Sequence, residues 1–451
     1  MNPFSNRSLL ALMLGSTLLF TACKKDEDET PTPTPTPTDD RVRVEVDITS
    51  NTTWTADNQY LLIGFINVQS GAVLTIEPGT VIFGDKVSKG TLIINRGARL
   101  EAAGTAAQPI IFTSAQAAGS RNPGDWGGVI ICGRSTINLP GGTGVVEGGV
   151  EAVFGGTDPA DNSGTLTYVR IEFPGIAFID NNEINGLTLA GVGNTTTINH
   201  VQVSYSGDDS YEWFGGSVNA KHLVAYSGWD DDFDMDNGFS GKLQFGVSLR
   251  DPNIADQSGS NGLEHDNDAT GTTASPFTTP VLSNISIFGP QKDPATVIAS
   301  NYRRATHLRR NTHTRLFNSV FAGYPTGCYI DGSACETNCN NGDLKVKNCV
   351  YSAMTTPLAT ASGSTWDIAS WFTAGGNLSY TQNSELGVVD GFNLSAPNFT
   401  LTGASPLNTG ASFGDSDLSD PFFTNVTFKG AFGSENWTSG WCNWDPQNTA
   451  Y

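Results

Sequence analysis

Short strand-like runs return along this chain at intervals of a few tens of residues, and that recurrence limits the fold more than any other feature. Gly71-Ala72-Val73-Leu74-Thr75-Ile76 returns 26 residues later as Gly97-Ala98-Arg99-Leu100-Glu101-Ala102, and Phe65-Ile66-Asn67-Val68 returns 27 later as Leu92-Ile93-Ile94-Asn95. Corners such as Glu77-Pro78-Gly79 separate the runs. A second series follows at His200-Val201-Gln202-Val203, His222-Leu223-Val224-Ala225, Ile285-Ser286-Ile287, Ser319-Val320-Phe321 and Cys349-Val350-Tyr351; its first step is 22 residues and later steps are longer. Coils that bury their inward side chains only when stacked on neighbours tolerate loops of variable length between strands. The pattern therefore predicts an all-β chain, a right-handed parallel β-helix over 42–420 with a C-terminal cap over 421–451 anchored by Trp437, Trp441 and Trp444. A β-propeller would show longer, more even periods of roughly 40–50 residues. With 51 Gly, 4 Met and no long helix-forming stretch, a helix bundle is excluded.

Chemistry concentrates in one strand series: Tyr211-Glu212-Trp213-Phe214, Phe233-Asp234-Met235-Asp236, Leu263-Glu264-His265-Asp266, Thr306-His307-Leu308-Arg309 and Cys328-Tyr329-Ile330-Asp331. Side chains alternate between faces. Placing Trp213, Met235, His265, Leu308 and Ile330 inward puts Glu212, Asp234, Asp236, Glu264, Asp266, His307, Arg309, Tyr329 and Asp331 on one outer face. Adjacent coils lie about 4.8 Å apart, so the carboxylates form a ladder.

Such a ladder persists only if cations, basic side chains or raised pKa values relieve the repulsion. The stretch 301–315 carries Arg303, Arg304, Arg309, Arg310, Arg315, His307 and His313 and no acid. Calcium is the other source of relief: Gly207-Asp208-Asp209 and Asp230-Asp231-Asp232 are expected to stack at the entrance to the same strands, offering Asp208, Asp209, Asp230, Asp231 and Asp232 as oxygen ligands. The alternative is that these aspartates are turn formers that accept backbone amides. Asp232, Asp234, Asp236 and Gly238 imitate a helical calcium loop, but Asn237 stands at its glycine position and no closing Glu follows.

Two functions fit this face. One is binding of an extracellular glycan or protein, with Glu212, Phe214, Trp229, Tyr302, Tyr329 and Asp331 as contact residues. The other is a calcium-dependent polysaccharide lyase or glycoside hydrolase using Asp234, Asp236, Glu264, Asp266, His307 and Arg309. Gly207-Asp208-Asp209 resembles the acid pair of β-helix polygalacturonases, but the His and Arg-x-Lys elements expected after it are absent in order and spacing. Binding is therefore the leading reading, and a structural or accessory role in an outer-membrane surface complex is a third.

The N-terminal residues 1–22 read as a secretory signal: Arg7, an apolar run from Leu9 to Phe20, then Thr21-Ala22 before Cys23. Small residues ahead of a cysteine resemble a bacterial lipobox, which implies lipid on Cys23 and an outer-membrane anchor. Residues 23–41 continue with the charged block Lys24-Lys25-Asp26-Glu27-Asp28-Glu29 and a Pro-Thr tether. The chain carries 45 Asp+Glu against 24 Lys+Arg, a net charge of -21. That balance excludes nucleic acid as a partner, because a binder needs a basic stripe to displace counterions from phosphate. Thirteen acids and three bases fall within 208–268, so the excess has a location.

Asp125-Trp126-Gly127-Gly128, Asn182-Glu183-Ile184-Asn185-Gly186-Leu187, the run from Ser206 to Gly216, Gly228-Trp229-Asp230-Asp231-Asp232-Phe233-Asp234, and the C-terminal Gly430-Ala431-Phe432-Gly433, Asn436-Trp437-Thr438 and Asp445-Pro446-Gln447-Asn448 are similar to a family of Bacteroidota-type surface lipoproteins. The charged block after Cys23 resembles their surface-export signal. The resemblance implies a pectin-lyase-like β-helix displayed on the cell surface and no particular activity. Besides Cys23 there are cysteines at 132, 328, 335, 339, 349 and 442; a bridge between Cys335 and Cys339 is expected to close a flexible loop, and Cys132 reads as a buried apolar residue. No Walker-type loop, Gly-x-Ser-x-Gly elbow or His-Glu-x-x-His is present.

Overall fold

A computed structural model describes residues 39–179 and 182–451. The signal segment, Cys23 and the tether through residue 38 lie outside the described residues. Arg41–Tyr451 forms one compact unit, a right-handed parallel β-helix with three strands to most coils.

Two strands of each coil belong to one large sheet and the third belongs to a separate ten-stranded sheet. In the large sheet the two strands of a coil meet at a bend, and in four coils they merge into long strands such as Thr197–Ser204 and Asn219–Tyr226. The bend residue has positive φ: Tyr168, His200, His222 and Phe245 in the middle coils, then Asn284, Asn318 and Asn348. Asn and His enter this conformation more readily than most other side chains, whereas Tyr168 and Phe245 are strained in it. Stacking offsets that cost here, with Tyr168 on His200 at 4.4 Å, His200 on His222 at 4.3 Å and His222 on Phe245 at 5.3 Å between ring centroids.

The 26-residue repeat takes the expected register, Leu74 beside Leu100 and Ile76 beside Ala102. The run at Phe65 pairs one residue earlier than the sequence match suggests: Ile66 lies beside Leu92 and Val68 beside Ile94. The correction follows from the pleat, since a one-residue slip exchanges faces, and this register keeps Ile66, Leu92, Val68 and Ile94 all inside. A coil at Leu243–Leu249 lies between the His222 and Ile285 runs, pairing Val224 with Val247 and then Val247 with Ser286. It carries apolar Leu243, Phe245, Val247 and Leu249 at period two, with Gly246 at the inward position beside Leu223.

The C-terminal segment does not cover the open end. It turns back along the flank of the large sheet: Asp415 and Asp417 meet Lys345 at 3.1 and 2.7 Å, Gly430 donates to the Asn318 carbonyl at 2.7 Å, Asn443 and Gln202 exchange two bonds of 2.8 Å, and Arg121 donates to the Pro446 carbonyl at 2.7 Å. Trp437 and Trp441 edge onto the His200 ring at 6.2 and 5.6 Å. These tryptophans anchor a strap because the stacked bend column adjoins an apolar flank, where Val224, Val247, Val320 and Val350 pack against Phe399, Phe432 and Trp441. The loop expected to hold a Cys335–Cys339 bridge is instead a helix, Ser333–Asn341, with both thiols free and buried. They face the core from one side of the helix, and burial pushes the Cys335 thiol up to about 12. Cys132 is fully buried.

Candidate functional site

The site grows from the ten-stranded sheet. Tyr211–Phe214, Phe233–Asp236, Leu263–His265, Arg304–Leu308 and Thr326–Ile330 are consecutive parallel neighbours, in the register Glu212–Asp234–Glu264–His307–Tyr329. Trp213, Met235, His265, Leu308 and Ile330 all point inward and are buried. The outer column begins earlier with Ile93, Ile130 and Thr188, so one face changes from apolar to acidic to basic along the solenoid.

The outer face is covered over its apolar part. The antiparallel pair Gly144–Val145 and Val153–Phe154 lies over Ile93, Ile130, Cys132, Ala190 and Phe214. Phe214 therefore packs on Phe154 at 5.9 Å and is no ligand platform. Tyr302 is likewise buried: its hydroxyl donates to the Asp251 carbonyl at 2.5 Å and to that of Ile254. Tyr329 is half-buried between the His307 ring at 5.2 Å and the Arg304 guanidinium at 4.6 Å. Trp229 remains 41% exposed.

The acidic turns stack as coils do. Extending the register two residues ahead of each strand aligns Asn185, Asp209, Asp231 and Asn261. Asp209 accepts the Asp231 N–H at 2.7 Å, and Asp231 accepts the Asn261 N–H. One carboxylate oxygen of each aspartate thus ties adjacent coils; the other is left for a ligand in Asp209 and accepts the Asn261 amide at 3.3 Å in Asp231. Three groups of carboxylates have oxygens within 4.8 Å of one another: Asp208, Asp209 and Asp230; Asp209, Glu212 and Asp234; Asp231, Asp234 and Glu264. They share members and run continuously across three coils.

Burial first, and then neighbouring carboxylates, push Asp208, Asp209, Asp230, Asp234 and Glu212 well above the usual carboxylate range. Asp231 is raised likewise, by burial and then by Glu264. Among the described residues none of these six forms an ion pair. Asp230 Oδ1, Asp234 Oδ1 and the Oδ1 of fully buried Asn261 have no hydrogen-bond partner, although the Asn261 amide nitrogen donates to Glu264 at 3.0 Å inside the third group. Thr188 Oγ1, beside Glu212 in the outer column, is also buried and unpaired. Carboxylate and amide oxygens of this kind are the hard donors that calcium takes, six to eight at a time.

Asp232 stands apart from the expected metal ligands. It forms a fully buried ion pair with Arg250 at 3.0 Å and accepts Ser248 Oγ at 2.5 Å, while Arg250 also donates to the Gly228 and Asn261 carbonyls at 2.7 Å. Burial raises Asp232 to about 6 despite that charge. Asp236, at the strand end, accepts the Asn237 N–H at 2.5 Å and is raised by burial to about 7.

The other end of the ladder is neutralised from within. His307 bonds Glu264 through Nδ1 at 2.8 Å and Asp331 through Nε2 at 3.0 Å; Arg309 pairs with Glu264 and, at 2.7 Å, with Asp266; Arg310 reaches Asp266 at 2.7 Å. Burial pushes Glu264 upward, but the His307 bond and the Arg309 charge outweigh it and its pKa is lowered. Burial raises Asp266 in spite of Arg309. Both sources of relief that the ladder requires thus have a place: basic side chains serve its C-terminal coils, and the unpaired oxygens of its N-terminal coils are suited to a cation.

Residues 46–388 match the family described as pectate-lyase-like beta helix domain. The chain belongs to that family. No curated protein and no solved structure matches it. In this pectate-lyase-like β-helix the strap contacts from Asp415 onward lie beyond the family match, and the acidic turns lie well inside it.

Sequence reasoning missed Asn185, Asn261, Arg250 and Thr188. Asn185 and Asn261 were discoverable by carrying the Asp209–Asp231 spacing one coil in each direction. Arg250 gave no signal, because its partner Asp232 is 18 residues away across a fold of the coil.

Proposed function

We propose that this pectate-lyase-like β-helix is a lipid-anchored, surface-displayed binding module of the outer membrane, stabilised by calcium and directed at an extracellular glycan. The observation that supports it best is the set of six carboxylates, Asp208, Asp209, Glu212, Asp230, Asp231 and Asp234, buried or half-buried together with no ion-pair partner among the described residues. Leaving such charges uncompensated is costly, so they are protonated or hold a cation. Calcium would be held by these groups with Glu264 and Asn261, and would fix the turns that frame the exposed Trp229. Calorimetric titration with calcium, followed by Asp209→Asn with Asp231→Asn, tests this. Binding of calcium that the double variant loses supports it, and no heat at millimolar calcium removes the cation.

The anchor rests on Thr21-Ala22-Cys23. Metabolic labelling with palmitate should mark the protein, and Cys23→Ala should abolish the label.

Lyase or hydrolase activity ranks second. A lyase needs a free base near the cation, and Arg309 is committed to Glu264 and Asp266 while His307 is held between Glu264 and Asp331. Incubation with polysaccharides should give retention of the polymer without new reducing or unsaturated ends.

A further inference from the structure

We propose that the cleft beside the acidic turns, with the indole of Trp229 as its platform, is a saccharide subsite that takes a neutral sugar ring. The proposal rests on the glycan-binding reading above and gives that reading a location.

Among the residues whose side chains are described, Trp229 is the one aromatic that is more than a third exposed. Its position is nevertheless fixed. Its N–H donates to the Ser206 carbonyl at 2.9 Å, and its own carbonyl accepts the Asp256 N–H at 3.0 Å and Ser260 Oγ at 2.6 Å. Three bonds thus fix the Trp229 backbone, and its exposed indole carries an Nε1–H without a partner among the described residues. The facing loop is equally fixed: the Tyr302 hydroxyl ties the Asp251 and Ile254 carbonyls, and the Ala299 N–H donates to the Pro252 carbonyl at 2.7 Å. Between them lies a cleft of 520 Å³ lined by Trp229, Asn253, Ile254, Asp256, Gln257 and Asn301. That volume falls within the roughly 300–1,000 Å³ of small-ligand sites.

The lining is what a pyranose requires. An exposed indole offers an apolar face to the axial C–H groups of a sugar ring and a polar edge at its N–H. The side-chain amides of Gln257 and Asn301 form no hydrogen bond among the described residues, and an amide supplies both a donor and an acceptor to adjacent hydroxyls. No Lys or Arg lines the cleft. Asp256 stands in it, and Ser258 Oγ links Asp256 to Asp230 with bonds of 2.6 and 2.8 Å. A rim that carries Asp256 and no Lys or Arg to pair with a uronate favours a neutral saccharide. The backbone of both walls is held by hydrogen bonds, so binding orders side chains and not the chain itself, which limits its entropic cost.

Calorimetry of the protein with neutral β-linked gluco- and xylo-hexasaccharides, and with oligogalacturonate as the acidic comparator, tests the site. The expected result is binding of a neutral hexasaccharide that Trp229→Ala weakens at least about tenfold, that Trp229→Phe partly restores, and that Gln257→Ala weakens by a few-fold. The Trp229 side chain is exposed, and an unchanged melting temperature would show each variant to be folded. Saccharide binding that survives Trp229→Ala overturns the subsite and leaves the glycan reading standing. Preference for oligogalacturonate overturns the neutral-sugar assignment, and failure of all three probes to bind overturns subsite and reading together.

Discussion

Asp209 accepts the backbone N–H of Asp231 at 2.7 Å, and the two stand 22 residues apart on successive coils. The carboxylate is therefore at once a rung between coils and a charge next to other charges. Asp209→Asn keeps an acceptor oxygen for the rung and removes the charge. In EDTA the variant should melt higher than the parent; in millimolar calcium it should gain less. Differential scanning calorimetry in both buffers checks the reversal, and equal shifts in the two buffers would refute the dual role.

The same charges set a pH dependence. Asp208, Asp209, Glu212, Asp230, Asp231 and Asp234 all have folded pKa values raised by burial above about 4, the unfolded value. Asp236 joins them at about 7. A raised acid stabilises the fold below its unfolded pKa and loses that contribution as pH rises through the folded value. In EDTA, stability should fall from pH 5 toward pH 8. Calcium should flatten this slope, adding about 2.7 kcal/mol when its concentration is a hundred times the dissociation constant. Urea melts at four pH values, with and without calcium, give both slopes.

Arg250 and Asp232 form a pair with both side chains at 0% exposure. Arg250→Ala should destabilise by about 3–5 kcal/mol, because it leaves Asp232 buried and uncompensated. Arg250→Met combined with Asp232→Leu should recover much of that loss. A double-mutant cycle from guanidinium melts measures it, and additive effects would count against direct coupling.

Tyr451 donates to Glu172 at 2.6 Å, and Glu172 is 1% exposed. Tyr451→Phe should cost about 1.5–3 kcal/mol, since the bond is to a buried carboxylate. Guanidinium melts of the variant check it, and a change below 0.5 kcal/mol would show that the strap end is not fastened there.

Cys335 and Cys339 are free, and burial holds Cys335 up at about 12. Neither should react with a thiol reagent in the native protein at pH 8, and both should react in guanidinium. Intact mass without reductant should show no loss of two hydrogens at this pair.

The ladder was legible in the sequence because strands of a parallel β-helix repeat their inside and outside positions with period two. Aligning Trp213, Met235 and His265 as core was enough to place Glu212, Asp234 and Glu264 beside one another. Exposure was not legible. Phe214 and Tyr302 read as surface aromatics, but the cover over Phe214 comes from a hairpin some 60 residues upstream and that over Tyr302 from the 251–254 loop. The strap was misread for a related reason. Its anchors Trp437 and Trp441 seek the His200 stack, a surface assembled from several coils that no single stretch of sequence displays.

That strap changes how the molecule comes apart. A bare solenoid is held by contacts between adjacent coils and frays from its ends one layer at a time. Here the Arg121–Thr449 bond joins residues 328 positions apart, and Lys345 and Lys347 are held by Asp415 and Asp417 at the other end of the same segment. A ribbon fastened across the coils between Arg121 and Lys345 acts as a buckle: those coils cannot peel apart until it opens. Resistance to unfolding by force then belongs to the strapped coils together and not to the weakest of them.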